Sequence, residues 1–379
     1  MRRWYNGLTC AQKRVSLHEY RHPIEAYYSR KEIGMSQLSR EIHQQPQVLT
    51  WLFDEQVSRA AEIAEIIRER DVSHVVVSAR GTSDNAAIYA KHLFGALNRL
   101  TVSRAPLSLF TLYQTPPRMR DALVLGISQS GQSPDIVSVV EEGRRQGALT
   151  VAVTNTPDSP LGDAAEHVLA VGAGEEKAVA ATKSYTAQLG AVALLAVHLA
   201  HDEERLEILR RVPAAVKETL GLEEEIAAAA QRYAHATQCV VLGRGYNYAT
   251  AVEMALKIKE LTYIVAQPYS SADFRHGPVA IIEGGFPVFA LLPEGAVYGD
   301  MLSLVEELVG RQAEVCIISD RDEALAMARV PLRLPAPVPE WVSPLVSIIP
   351  GQLLALHITE AKGYDPDHPR GLTKVTETR

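Results

Sequence analysis

The segment "VVVSARG" (75–81) returns as "CVVLGRG" (239–245), and "SVVEEGRRQGALTVAVTN" (138–155) returns as "SLVEELVGRQAEVCIISD" (303–320). Both pairs are offset by about 165 residues, and Ser138/Ser303, Glu141/Glu306 and Glu142/Glu307 are identical in one insertion-free register. A period this long denotes a duplicated domain, not a stack of short repeats. Two domains also suit 379 residues, which exceed one typical core. Within the first copy, "HVVVSAR", "ALVLGIS", "LTVAVTN" and "HVLAV" are short and rich in β-branched residues, so they are strands. Longer stretches with helical spacing separate them. Strands alternating with helices predict an α/β fold with parallel sheets covered on both faces.

The flanking stretches fit that plan. "EIHQQPQVLTWLFDEQVSRAAEIAEIIRER" predicts helices broken near Pro46, and "TKSYTAQLGAVALLAVHLAH" predicts a buried helix. "GTSDNAAIYAKHLFGAL" predicts a glycine turn, an N-cap at Ser83 or Asp84, then a helix. Residues 203–233 form a charged, alanine-rich helical stretch. The prolines of "RLPAPVPEWVSP" mark a loop, and "LVSIIPGQLLALHITEAKG" is expected to be a final strand-to-helix unit. Residues 1–34 are polar and aperiodic. They form a tail, or translation starts at Met35.

Composition narrows the function classes. A net charge of -7 argues against nonspecific nucleic-acid binding, so any anion site must be local. No apolar run reaches the roughly 18 residues that spanning a membrane needs. "MRRWYNGLTCAQ" lacks the apolar centre of a secretion signal. Cys10, Cys239 and Cys316 are scattered without a CxxC pair, which suits a reducing compartment, so a cytoplasmic protein is expected.

Several segments carry chemistry. "SQSGQS" places Ser128, Gln129, Ser130, Gly131 and Ser133 at a strand end, just before a helix with proline in its first turn. Ligands of parallel sheets bind beyond the carboxyl ends of strands, and a helix start attracts anions. A phosphate monoester is the natural guest; no lysine follows in the nucleotide-triphosphate pattern. A serine-rich turn is the plainer reading, and the residues alone weigh the two about evenly. The second copy carries "LPEGAVYG" at the equivalent place, so the polar loop is a specialisation and not scaffold. Thr82 and Ser83 in "RGTSDN" also follow a strand and either meet a ligand or cap the helix. Ala180, Ala181, Thr182 and Lys183 line a pocket or simply start a helix. In "ATAVEMALKIKELTYI", Glu253, Lys257 and Glu260 share one helical stripe at i, i+4 and i+7. The ordinary reading is a solvated ion-pair ladder. The apolar neighbours Met254, Leu256 and Ile258 leave little solvent face, which makes a partly buried proton-transfer group the alternative. His276, before Gly277 and Pro278, presents an imidazole at a tight turn; a lone histidine is more often structural.

Together "SARGTSDNA", "LGISQSGQSPD", "GEEKAVAATKS", "LGRGYNYATAVEMALKIKELTYI", "FRHGPVAII" and "PRGLTK" resemble the double sugar-isomerase (SIS) module of glucosamine-6-phosphate synthases. The resemblance covers about residues 35–379. It implies two tandem SIS domains, each a five-stranded parallel sheet between helices, at 35–205 with the leading helices and 206–364, a tail at 365–379 completing the site, and a homodimer. It implies that Ser128, Gln129, Ser130 and Ser133 hold a sugar phosphate, with Thr82, Ser83 and Ala181 nearby. It further implies that Glu260 moves a proton between C1 and C2 and Lys257 supports it. His276 would open the sugar ring from across a dimer interface, and Lys374 would contact the open-chain sugar. The synthases begin with a glutaminase domain. Here some 34 residues precede the module and Cys10 is not terminal, so no glutamine hydrolysis is expected. "AAT" replaces the synthases' "AST", and "FRHGP" their "LKHGP". Both lean toward glucosamine-6-phosphate deaminases of the SIS type. The partner is then a small sugar phosphate, with no cofactor, metal, nucleic acid or membrane. A fructosamine-6-phosphate deglycase or a ketose/aldose isomerase is the enzyme alternative, and a non-catalytic sugar-phosphate sensor the alternative of another class.

Overall fold

The computed structural model describes residues 34–335 and 337–374; residues 1–33 of the expected tail, with Cys10, and residues 375–379 lie outside the described residues. Three helices lead: α1 (Gln37–His43), α2 (Gln45–Glu55) and α3 (Val57–Glu69). The Ser36 hydroxyl caps α1 by accepting from the Ser39 amide, and Pro46 sits in the first turn of α2, where no N–H is missed. The first copy runs β1 (His74–Ser78), α4 (Gly81–Asn98), β2 (Thr101–Arg104), α5 (Ser108–Thr111), β3 (Ala122–Ser128), α6 (Pro134–Arg145), β4 (Leu149–Thr154), α7 (Pro160–Ala164), β5 (His167–Ala170) and α8 (Lys183–Leu199). Helices α9 (Glu203–Leu220) and α10 (Glu223–Ala230) lead to the second copy. It runs β6 (Gln238–Leu242), α11 (Asn247–Thr262), β7 (Val265–Tyr269), α12 (Ser271–Arg275), β8 (Pro287–Leu291), α13 (Tyr298–Gly310), β9 (Glu314–Ser319), α14 (Asp322–Met327), β10 (Val330–Arg333) and α15 (Pro344–Ala361).

Both sheets have five parallel strands, ordered β2-β1-β3-β4-β5 and β7-β6-β8-β9-β10, so the duplication extends to topology. The strand starts His74 and Gln238 are 164 residues apart, and Ala122 and Pro287 are 165 apart. One residue is therefore inserted, and the register is not insertion-free as the sequence suggested. Even a polar pair repeats. Arg80 Nε donates to Asp135 Oδ2 at 2.8 Å, and Arg244 Nη1 donates to Asp300 Oδ2 at 2.7 Å. Each pair ties the turn after β1 or β6 to the helix after its sheet neighbour, β3 or β8.

Helices α8 and α15 are apolar on every side, which requires burial on every side. All of Lys183–Val197 and of Pro344–Leu356 is buried. Helix α4 packs on α8, and α11 packs on both α15 and α4. The two copies thus join through helices, and the first turn of α4, just past β1, meets α11 at Glu253 and Lys257.

Two further expectations need correction. Ser83 and Asp84 do not cap α4; the helix already begins at Gly81 with Arg80 as the cap position, and Ser83 is buried in the first turn. "LVSII" is not a strand but part of α15, which continues through Pro350. A short β-branched run has no period that separates a strand from a buried helix, and all-round burial decides it here. Strands β2, β7 and β10 were not legible. All three are edge strands, and β7 and β10 contain Pro268 and Pro331, which only an edge tolerates.

Candidate functional site

On α11, Glu253 and Lys257 are buried and Glu260 is half-buried. Lys257 Nζ donates to Glu260 Oε2 and to Thr82 Oγ1, the latter at 3.3 Å, and lies 3.6 Å from Glu253 Oε1. Glu253 accepts from Thr82 Oγ1 at 3.1 Å and from Asn85 Nδ2 at 2.7 Å. The stripe is therefore not a solvated ladder; it is roofed by the first turn of α4. Burial pushes the Glu253 carboxyl up against the pull of Lys257 and Asn85, to about 7. Burial also penalises the Lys257 ammonium, but the two carboxylates outweigh it and hold the lysine charged, with its pKa raised. Only the Glu260 side chain, 25% exposed, has an open face.

The serine loop lies at the end of β3. Strands β1 and β3 are paired, with Ser78 opposite Gly126, so the first turn of α4 with Thr82 and the Ser128 loop follow the carboxyl ends of neighbouring strands. Ser128 Oγ accepts from the Gly131 amide at 3.1 Å, and Ser130 Oγ accepts from the Gln132 amide at 3.3 Å. A hydroxyl that accepts still has its own hydrogen to donate. Ser133 stands at the N-cap of α6 without a side-chain cap bond. Gly131 has φ +65, and an added Cβ would lie 2.0 Å from Ser159 Oγ, so the tight turn requires glycine. Gln129 is half-buried in the same loop. Ser83 Oγ accepts from Gln188 Nε2 at 3.0 Å, which fixes it to α8 rather than presenting it freely.

Lys374 reaches this region from the chain's end. Its Nζ donates to Glu176 Oε2 at 3.0 Å and to the Ala178 carbonyl at 2.7 Å. Glu176 also accepts from the amides of Thr182 and Ser184, both at 3.0 Å, and from Ser184 Oγ at 2.7 Å. Burial pushes the Glu176 carboxyl up, but Lys374 and these donors prevail, and its pKa is lowered. Ala181 is half-buried in the turn between Glu176 and α8.

His276 is exposed beside the end of α12, and among the described residues it is hydrogen-bonded to none of these groups. Reasoning from sequence missed Asn85 and Glu176 as members, and left Glu253 in the stripe without a place in the site. Glu176 precedes the small-residue turn by a few positions, a weak signal that only long-range contacts complete. Among the described residues no group of three or more His, Cys, Asp or Glu could hold a metal ion. Cys239 and Cys316 are buried free thiols, and burial pushes that of Cys239 up to about 12.

A family model described as the SIS domain matches residues 68–198 and 232–359, more than half of the chain. The chain belongs to the SIS domain family. Each match spans one of the two sheets. A glutamine–fructose-6-phosphate aminotransferase (isomerizing) from Gloeobacter violaceus is 35% identical over 350 residues, 88% of this chain and 57% of that protein. The chain thus spans little more than half the length of such curated relatives. A Silicibacter pomeroyi structure provisionally called a phosphosugar isomerase matches with a TM-score of 0.80 and 31% identity, covering 88% of this chain and all of that one. The C-terminal domain of glucosamine-fructose-6-phosphate aminotransferase from Francisella tularensis matches with a TM-score of 0.81 and 27% identity, covering 89% and 99%. Among the described residues no helix is long and apolar enough to cross a membrane.

Proposed function

We propose that this chain is a sugar-phosphate deaminase/isomerase that converts glucosamine 6-phosphate and water into fructose 6-phosphate and ammonia without glutamine. One observation carries it. A charged, buried Lys257 is bonded to Glu260, the carboxylate of the trio with an open face, and to Thr82, which follows the strand that pairs with the one bearing the serine loop. Ser128, Gln129, Ser130 and Ser133 hold the phosphate through hydroxyls, amides and the start of α6. Phosphate bound away from the reacting carbons positions C1 and C2 near Glu260.

The chemistry balances with these groups. In the open-chain aldehyde, Glu260 takes the C2 proton as the C1 carbonyl oxygen gains one, and Lys257 stabilises the developing charge on that oxygen. Returning the proton to C1 leaves an imine at C2. Water adds to C2, ammonia departs, and the ketose remains. Lys374 contacts the open-chain sugar, and His276 opens the ring from the second subunit of a homodimer. The two SIS domains, 35–205 and 206–364, act as one unit in the cytoplasm.

The test is a substrate panel given to the purified full chain without glutamine, with ammonia and ketose readouts. Glucosamine 6-phosphate should release ammonia and fructose 6-phosphate in equal amounts. Cleavage of a fructosamine 6-phosphate instead, with no ammonia from glucosamine 6-phosphate, would establish the deglycase. Interconversion of plain aldose and ketose phosphates alone would establish an isomerase, and binding without turnover a sensor.

A further inference from the structure

Helix α1 precedes the first SIS match, and the activity above makes no use of it. Yet one of its polar side chains is buried against the segment that meets Lys374. Glu41, with no exposed surface, accepts from the amides of Lys177 at 2.5 Å and Ala178 at 3.2 Å. Ala178 is the residue whose carbonyl accepts from Lys374. The segment 177–178 is thus held through its N–H groups by Glu41 while its Ala178 C=O meets the lysine. Gln37 Nε2 steadies Glu41 Oε1 at 2.9 Å. At the other end of the helix, Gln44 Oε1 accepts from Lys183 Nζ at 2.7 Å, which also donates to the Glu175 carbonyl.

The same helix holds the tail that carries Lys374. The two carboxylate oxygens of Asp367 accept from the amides of Gln37 and Leu38, each at 2.8 Å. Three residues on, the Arg370 amide donates to Tyr263 Oη at 2.8 Å, and its guanidinium sits 3.7 Å from the centre of that ring. Tyr263 follows Glu260 by three residues, just past the end of α11. The tail is therefore pinned at Asp367 and at Arg370 before it delivers Lys374. A free lysine side chain has about 2 kcal/mol of rotamer entropy to lose, so fixing the backbone at two points ahead of it lowers what ordering its ammonium costs.

We infer that Asp367 and Glu41 are positioning residues for Lys374: helix α1 holds the C-terminal tail with one end and the Glu176–Ala178 segment with one face. The inference rests on the proposed function only for the sugar that Lys374 contacts. Neither carboxylate is hydrogen-bonded to the Glu260–Lys257 pair or the serine loop, so their loss reaches the site through Lys374 and the 176–178 segment that holds it.

The test is labelling of the full chain with an amine-directed acylating reagent, read residue by residue by mass spectrometry. Exposed Lys217 is the reference, and buried Lys257 reports folding. In Asp367→Ala, Lys374 should label about tenfold faster than in the wild type while Lys217 stays constant. Glu41→Gln should move in the same direction, and Asp367→Asn, which keeps one acceptor oxygen, should fall between. Lys374 labelling at the wild-type rate in all three overturns the inference. If Asp367→Ala exposes Lys257 it has unfolded, and the Asn and Gln variants with Lys257 still protected decide. With the substrate found by the panel, kcat should fall about tenfold with KM within about twofold, because phosphate binding is untouched. KM rising in step with the loss of kcat overturns the inference. Labelling needs no substrate, so a wild type that turns over nothing refutes the proposed activity and leaves the positioning to be judged by labelling.

Discussion

Glu253 and Glu260 are the same residue type on one helix, and burial alone separates them. Glu253 has its two oxygens taken by Thr82 and Asn85, and its pKa is about 7 against an ordinary 4.5. A carboxyl raised by folding favours the native state while it is protonated. That contribution is full below pH 4.5 and is lost as pH rises through about 7. The interval corresponds to a limit on the order of 3 kcal/mol. Glu253→Gln mimics the protonated form. Its Tm relative to wild type should therefore climb between pH 5 and 8, by at most about 4 °C; a difference independent of pH would contradict the assignment. Lys257 and Glu260 were legible because helical spacing projects i, i+3 and i+4 onto one face whatever lies opposite. Asn85 and Glu176 were not, since their roles exist only once β1, α8 and the chain's end meet.

Helices α1, α10 and α15 meet at one carboxylate. Glu223 accepts from His43 and His357 at 3.1 and 3.2 Å, and His357 is shared with Glu360 at 2.8 Å. The bonds from His357 and His43 pull Glu223 down to about 2. The bond to Glu223 raises His43, and Glu223 with Glu360 raises His357 against its burial. Glu223 contributes stability above pH 4.5 that is lost as pH falls toward 2. The histidines contribute stability below pH 6.5 that is lost as pH rises beyond their raised values. The cluster is strongest between those limits. Glu223→Gln should lower Tm most near pH 5 to 6 and flatten its pH profile, a shift of about 1–2 °C for each kcal/mol in a chain this large. A uniform loss across pH would show that the cluster does not titrate with folding. Among elements, the central strands and α8 were legible from composition. The edge strands β2, β7 and β10 and the first half of α15 were not, because four or five residues carry no usable period and their partners lie far along the chain.

At the scale of the molecule, duplication supplied two like halves, and the candidate site uses each differently. The first copy gives the loops after β1 and β3, the second gives α11, and the C-terminal tail closes the arrangement with Lys374. Neither half holds both the serine loop and the carboxylate–lysine pair. This is why "SQSGQS" alone stayed evenly balanced between a pocket and a polar turn, and why α11 alone looked like an ion-pair ladder. The fold was open to reading from the repeat; the meeting of its halves was not. In the proposed reaction Glu260 is the group that carries the proton between C1 and C2. Ammonia release from glucosamine 6-phosphate should be measured for the wild type and Glu260→Gln side by side, each at saturating substrate. A loss of about 10²–10⁴ in kcat with phosphate binding retained is the predicted result; full turnover by Glu260→Gln would contradict it.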